Sequence, residues 1–205
     1  MTNSRRSFMK NAGSAGLMTA GLGLGLAGLT ACATPAQRVT EDHFGLNPSL
    51  NGITLPDGMK IGIDRVNVNG IFAGRPIIEQ VSTSPVKYQE TRSKLWHASP
   101  ADLIRDAVIA GWNNAAGRTV AVSTQTERPD LKLEMDLLTI GHDAAGAGFV
   151  TMRARVITDQ RKVILDQSFA ATGPASSELN GSVLSIESAL AIVINDIATA
   201  ISASL

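Results

Sequence analysis

The sequence predicts an α+β domain: an antiparallel or mixed β-sheet, with a meander in its C-terminal half, covered on one face by two α-helices. Three observations carry that expectation. Between Asp130 and Ile140, Leu131, Leu133, Met135 and Leu137 alternate with Lys132, Glu134 and Asp136, the period of a half-buried antiparallel strand. Two more strand-like runs, Phe149–Ile157 and Val163–Ala171, follow after short breaks, as in a meander. Two other stretches, one after Ser99 and one near the C-terminus, repeat apolar residues at helical spacing. Strands outnumber helices and do not alternate strictly with them, which argues against a doubly wound parallel sheet.

Each element has a local cause. Met59, Ile61, Ile63, Val66 and Val68 line the first long strand, and the phase slip at Asp64-Arg65 predicts a bulge or bend there. Ile77–Val81 and Val86–Glu90 flank Ser84-Pro85 and predict a hairpin. Ser99 is a helix N-cap: its hydroxyl can accept from free N–H groups, Pro100 suits the first turn, and Asp102 complements the positive helix end. Leu103, Ile104, Ala107, Val108, Gly111 and Trp112 then share one face, and Gly117 can close the helix. Thr119–Ser123 reads as a strand and His142–Gly148 as a loop. The last helix, about Val183 to Ser202, carries a seam of Ile186, Leu190, Val193, Ile197 and Ile201. Leu184, Ile192 and Ile194 widen its apolar surface enough to suit contact with a partner or a second copy, a homo-oligomer. Trp96, just before the first helix, suits either the core or the rim of an apolar docking site.

The first 31 residues read as an address. A basic start containing Arg5, Arg6 and Lys10 with Phe8 between them leads into an uncharged stretch from Asn11 to Ala31, the pattern of an export signal. The paired arginines followed by Ser-Phe-Met-Lys resemble the twin-arginine motif. Six glycines make the stretch a poor membrane helix. Leu29, Thr30 and Ala31 before Cys32 resemble a lipobox, in which the cysteine sulfur is alkylated by a diacylglyceryl group and the freed amine is acylated after cleavage. Two or three acyl chains hold a protein stably at a membrane, where one does so marginally. Ala33, where many inner-membrane lipoproteins carry Asp, points by that resemblance to the outer membrane, facing the periplasm. Residues 32–58, with Pro35, Pro48 and Pro56, read as a lipid-anchored tether, and residues 59–205 as the folded domain.

Charge and chemistry exclude several classes. The 205 residues carry 18 basic and 18 acidic side chains, so there is no cationic excess to displace counterions from nucleic acid. Without Arg5, Arg6 and Lys10 the chain is mildly acidic, so membrane attachment rests on Cys32 rather than on attraction to anionic headgroups. Cys32 is the only cysteine, and His43, His97 and His142 lie far apart, so no metal or cofactor site is expected. No Gly-x-Ser-x-Gly elbow occurs, Gly141–Gly148 lacks the context of a dinucleotide loop, and Ala115–Thr119 lacks the Gly-Lys-Ser/Thr of a phosphate loop. Glu134 and Asp136 share a strand face with Lys132 and read as a solvated charged face. No catalytic residue is assigned, and ATP hydrolysis is not expected of this chain.

From Lys60 to Ile201 the chain resembles the ABC-type transport auxiliary lipoprotein family, of the paraquat-inducible protein C type. The resemblance rests on the first strand, Gly74-Arg75-Pro76-Ile77-Ile78, Lys94-Leu95-Trp96 leading to Ser99-Pro100, Asp130–Glu134, the Phe169 strand ending in Ala-Thr-Gly-Pro174, and the apolar last helix. His97 departs from the small residue more usual after the tryptophan. The resemblance implies a non-enzymatic periplasmic lipoprotein working with an ABC transporter's permease, ATPase and MCE-domain subunits on phospholipids or other hydrophobic compounds. It also implies docking of that system at the outer membrane through the sheet edge or the last helix. An outer-membrane lipoprotein assembly factor of the lipopolysaccharide-transport type shares the anchor and a two-helix sheet, and is the alternative.

Overall fold

The alternating segments form the strands they predict. A computed structural model of the protein describes residues 40–50, 53, 55, 57–125 and 128–205. Arg5, Arg6, Phe8, Lys10, Leu29, Thr30, Ala31 and Cys32 lie outside the described residues. The strands are β1 (Asp42–Phe44), β2 (Ile61–Val68), β3 (Pro76–Thr83), β4 (Val86–Trp96), β5 (Ala121–Ser123), β6 (Leu131–Asp143), β7 (Gly148–Thr158) and β8 (Val163–Thr172). The helices are α1 (Pro100–Ala116) and α2 (Leu179–Ala203), with a short 3-10 turn at Gly70–Ala73.

Among the described residues, eight strands join one mixed sheet. β6 is its spine: it runs parallel to β2 along Leu131–Leu137, parallel to β3 at His142–Asp143, and antiparallel to β7 from Leu131 to His142. β8 follows antiparallel to β7 and completes the meander. The β2 register shifts between Ile63 and Val66, where the phase slip predicts a bulge. β3 and β4 form the predicted hairpin around Ser84-Pro85.

Directly opposed residues point to the same side of a sheet. Ile63, Leu133, Val156 and Leu165 are register partners across four strands, and all are buried. Both helices pack on that face, α1 against β2 and β5, α2 against β7 and β8. Ser99 caps α1 as its position predicts, its Oγ accepting from the Asp102 N–H at 3.2 Å, and Gly117 closes the helix at φ 63°. Ile104, Val108 and Trp112 are buried beneath α1, and the whole α2 seam is buried beneath the other helix. Each fully buried Ile or Leu contributes about 1.5–3 kcal/mol. Between Asn180 and Ala203, α2 is long and apolar enough to cross a membrane, but the sheet already occupies its seam.

Two expectations change. Part of the segment expected as tether enters the fold: within it β1 pairs in parallel with β4, and Leu46 and Leu55 are core residues. Its apolar residues follow no helix or strand period, and its strand exists only through a partner fifty residues away, so local pattern could not reveal it. His142, expected in a loop, is a buried residue near the end of β6, because Gly141 and His142 extend the ladder past the register shift between Leu137 and Thr139.

Two further contacts hold the helices. Asn113 on α1 accepts from the Val120 and Ala121 N–H groups at 2.8 Å through Oδ1 and donates through Nδ2 to the Ala121 carbonyl at 2.9 Å, tying α1 to β5. Under α2, a Cβ at Gly148 would collide with the Ile186 N–H, and one at Gly173 with the Ser185 carbonyl. The buried Ser185 Oγ accepts from the Gly148 N–H at 2.6 Å, so helix and sheet meet backbone to backbone there. Asn113→Ala is expected to destabilise the fold by about 2–3 kcal/mol, because it strands backbone groups. Gly148→Ala is expected to cost about 1–3 kcal/mol through overpacking. Urea unfolding of both variants beside the natural chain measures each loss.

Candidate docking surfaces

The sheet face away from the helices carries charge. On β6, Lys132 Nζ contacts Asp64 Oδ2 at 2.6 Å and Glu134 Oε1 at 3.1 Å; Glu134 reaches Arg155 at 4.0 Å. Asp166 on β8 accepts from Arg153 at 2.6 and 2.8 Å and from Arg155 at 3.3 Å. Asn67 donates to Asp136 at 2.9 Å. The alternation that buries Leu131–Leu137 therefore also lines up an ion ladder across β2, β6, β7 and β8. Glu134 and Asp136 belong to it, each with a partner on a neighbouring strand.

Partial burial pushes the Asp64 carboxyl up, but hydrogen bonds from Lys132 and the Arg65 backbone outweigh it and leave the group below its usual range. Lys132 is raised by its hydrogen bond to Asp64, then by that to Glu134. The Arg153 hydrogen bond holds Asp166 below the carboxylate range, with Arg153 raised in turn. Such exposed pairs contribute little each, because solvent screens them.

A second feature lies over the helices. Residues 45–50 run as a strap from β1: Leu50 sits against Gly111 of α1, and the Asn47 N–H donates to Glu187 Oε1 of α2 at 2.7 Å. Its start is clamped by Arg75, whose Nε donates to the Trp96 carbonyl at 2.8 Å and whose Nη2 lies 3.1 Å from His43 Nδ1. The Trp96 N–H donates back to the Arg75 carbonyl at 2.7 Å, and the His97 N–H to the Phe44 carbonyl at 2.8 Å. The Gly74-Arg75-Pro76 and Leu95-Trp96 stretches thus meet at one corner and hold β1 on β4. Between strap and α2 lies a cleft of about 460 Å³ walled by Asn47, Ser49, Leu184, Ala191 and Ile192.

Of the residues expected to face a partner, Trp96 is 1% exposed and Ile194 0%, so both belong to the core. Ile194 lies four residues after Leu190 and three before Ile197, on the buried seam. Ile192 is 45% exposed and shares the cleft with Leu184 at 60%. The Arg75 clamp and the strap were missed because they depend on long-range contacts; the Arg75-Pro76 turn was their only visible sign. Among the described residues no group of three His, Cys, Asp or Glu side chains is placed to hold a metal.

The fold and its surfaces define a small α+β domain with a charged sheet face and, on its helical side, a cleft lined by both polar and apolar side chains. Residues 50–198 match the family of ABC-type transport auxiliary lipoprotein components, and the chain belongs to that family. The family is a lipoprotein component of transport systems rather than an enzyme class. The crystal structure of protein XCC0632 from Xanthomonas campestris, of the DUF330 family, superposes with a TM-score of 0.63 at 16% identity, covering 79% of this chain and 96% of that one. The crystal structure of an uncharacterized protein superposes with a TM-score of 0.65 at 18% identity, covering 78% and 97%. At these identities the likeness is one of fold. Among curated proteins none matches the sequence.

The ladder has a defined pH signature. Asp64 and Asp166 have folded pKa values below their unfolded ones, so their contribution is present above about pH 4 and is lost as pH falls through the folded values. Lys132 is raised, so its contribution is full below about pH 10 and is lost as pH rises through its folded value. The thermal midpoint is therefore expected to stay level between these limits and to fall on both sides. For Lys132→Met the alkaline fall attributable to Lys132 disappears, as differential scanning calorimetry across pH measures.

Proposed function

We propose that the protein is a non-enzymatic periplasmic lipoprotein of an MCE-linked ABC transport system that moves phospholipids or other hydrophobic compounds. Family membership over residues 50–198 carries this reading. The lipobox-like Leu29-Thr30-Ala31-Cys32 supports a lipid anchor at Cys32, reached through a twin-arginine-type signal with Arg5, Arg6, Phe8 and Lys10, and Ala33 supports the outer membrane. Cys32 stands ten residues before Asp42, where β1 begins.

The partner surface in this reading is the cleft beside the strap. Leu184 and Ile192 are large apolar side chains exposed on one side of α2, next to a concavity, and such a combination suits a helix or apolar loop of an MCE-domain protein or permease. The strap links the two roles, because the same segment that leads to Cys32 forms one wall of the cleft.

The full chain, tagged and purified in mild detergent, is expected to capture the MCE-domain protein together with the permease and ATPase. Replacing Leu184 and Ile192 together by Asp is expected to weaken that capture on the order of tenfold or more while leaving the thermal midpoint unchanged. Cys32→Ser is expected to move the protein from the membrane to the soluble periplasmic fraction. Capture of a β-barrel instead of transporter subunits would assign the assembly-factor role.

A further inference from the structure

The helical side of the domain carries charge as well as exposed apolar side chains. Across α1, residues 45–50 and α2 with its cap residue Glu178 stand five carboxylates, Asp102, Asp106, Glu178, Glu187 and Asp196, and one base, Arg105. Arg105 is already committed, with Nη2 3.1 Å from Asp106 Oδ1 and Nη1 3.7 Å from Asp102 Oδ1. The remainder of residues 40–205 carries thirteen bases and thirteen acids. The net negative charge of this region therefore lies on the helical layer, which forms the walls of the cleft beside the strap.

The exposed stripe of α2 has a shape that goes with this charge. Leu184, Ser188 and Ile192 follow one another at four-residue steps, large, small, large, and all three are exposed. A ridge with a dip in it suits the side chains of a second helix laid along it. With 3.6 residues per turn, Glu187 stands about 60° to one side of Leu184 and Asp196 about 40° beyond Ile192 on the other. Glu187 is on the strap side, where it accepts from the Asn47 N–H. No Lys or Arg occurs anywhere on α2, so both flanks of the stripe are acidic or neutral.

We propose that the cleft takes a basic amphipathic helix of a partner protein, with its apolar side chains on Leu184 and Ile192 and its Lys or Arg side chains beside Glu187 and Asp196. The inference rests on the docking reading above and adds the chemistry of the partner. Charge complementarity selects this occupant. An acidic segment or an anionic lipid surface would meet like charge on this face, and a second copy would bring its own α2 carboxylates against these. The long stems of Lys and Arg also cover apolar surface while their heads reach the flanks, which matches a stripe only one ridge wide.

Two synthetic helical peptides of about eighteen residues, roughly five turns, test this. They share one leucine stripe and differ in having Lys or Glu at the flanking positions. Fluorescence anisotropy reads their binding to the full chain in non-ionic detergent, which both peptides meet alike. The Lys peptide is expected to bind roughly tenfold or more tightly than the Glu peptide, and to lose affinity as salt is raised. Glu187→Gln, whose amide oxygen can still accept from Asn47, combined with Asp196→Asn is expected to weaken the Lys peptide about fivefold or more without lowering the thermal midpoint. Asp159→Asn, which neutralises an exposed carboxylate at the turn between β7 and β8, is expected to leave that binding unchanged. Equal binding of the two peptides, binding of neither, or a Lys peptide held as tightly by the double variant as by the natural chain overturns the proposal. The peptides are read without the transporter, so failure to capture transporter subunits counts against the docking reading, and failure to discriminate the peptides counts against this one.

Discussion

The structure depends on β6. Its ladder to β7 runs from Leu131 to His142, and on its other flank the same strand accepts β2 along its first half and β3 at its end. One continuous strand therefore joins the N-terminal strands, with α1 on them, to the C-terminal meander, with α2 on it. Side-chain period 2 then requires every second residue to serve the shared core, and Leu131, Leu133, Met135 and Leu137 do so. The register shift after Leu137 resets the phase, which is how Ile140 returns to the core and why Leu138 stands exposed. A one-residue slip elsewhere in β6 would turn the whole set to solvent.

The helical layer follows from the same row. α2 lies close to β7 and to the end of β8 because glycines at 148 and 173 leave room for its backbone, while its isoleucine seam fills the valleys of the sheet. α1 is placed by a polar device, with Asn113 satisfying backbone groups at the start of β5. The strap then crosses both helices, tied by Leu50 to one and by Glu187 to the other. Function, in our reading, is attached to what this arrangement leaves uncommitted: two apolar side chains beside the strap.

Much of the fold was legible because its causes are local. The N-cap at Ser99, the left-handed closing glycine at 117, the bulge near Asp64 and the alternation of the meander all act within a few residues. The partner-facing residues were harder. Sequence marked Ile192 and Ile194 alike as surplus apolar residues, yet they lie about 200° apart around a helix with 3.6 residues per turn, so one packing direction exposes the first and buries the second. Trp96 stood between core and rim until the Arg75 clamp closed the corner over it.

The sequence by itself determined the family, the element types, the polar and apolar faces of the sheet and the lipobox-like context of Cys32, since these are written in composition, short-range period and motif. Only the tertiary structure decided that residues 42–50 belong to the domain, that β2 runs parallel to β6, and which side of α2 stays free. Each of those depends on pairing between segments tens of residues apart. There the free energy comes from contacts formed together, and no local pattern records them.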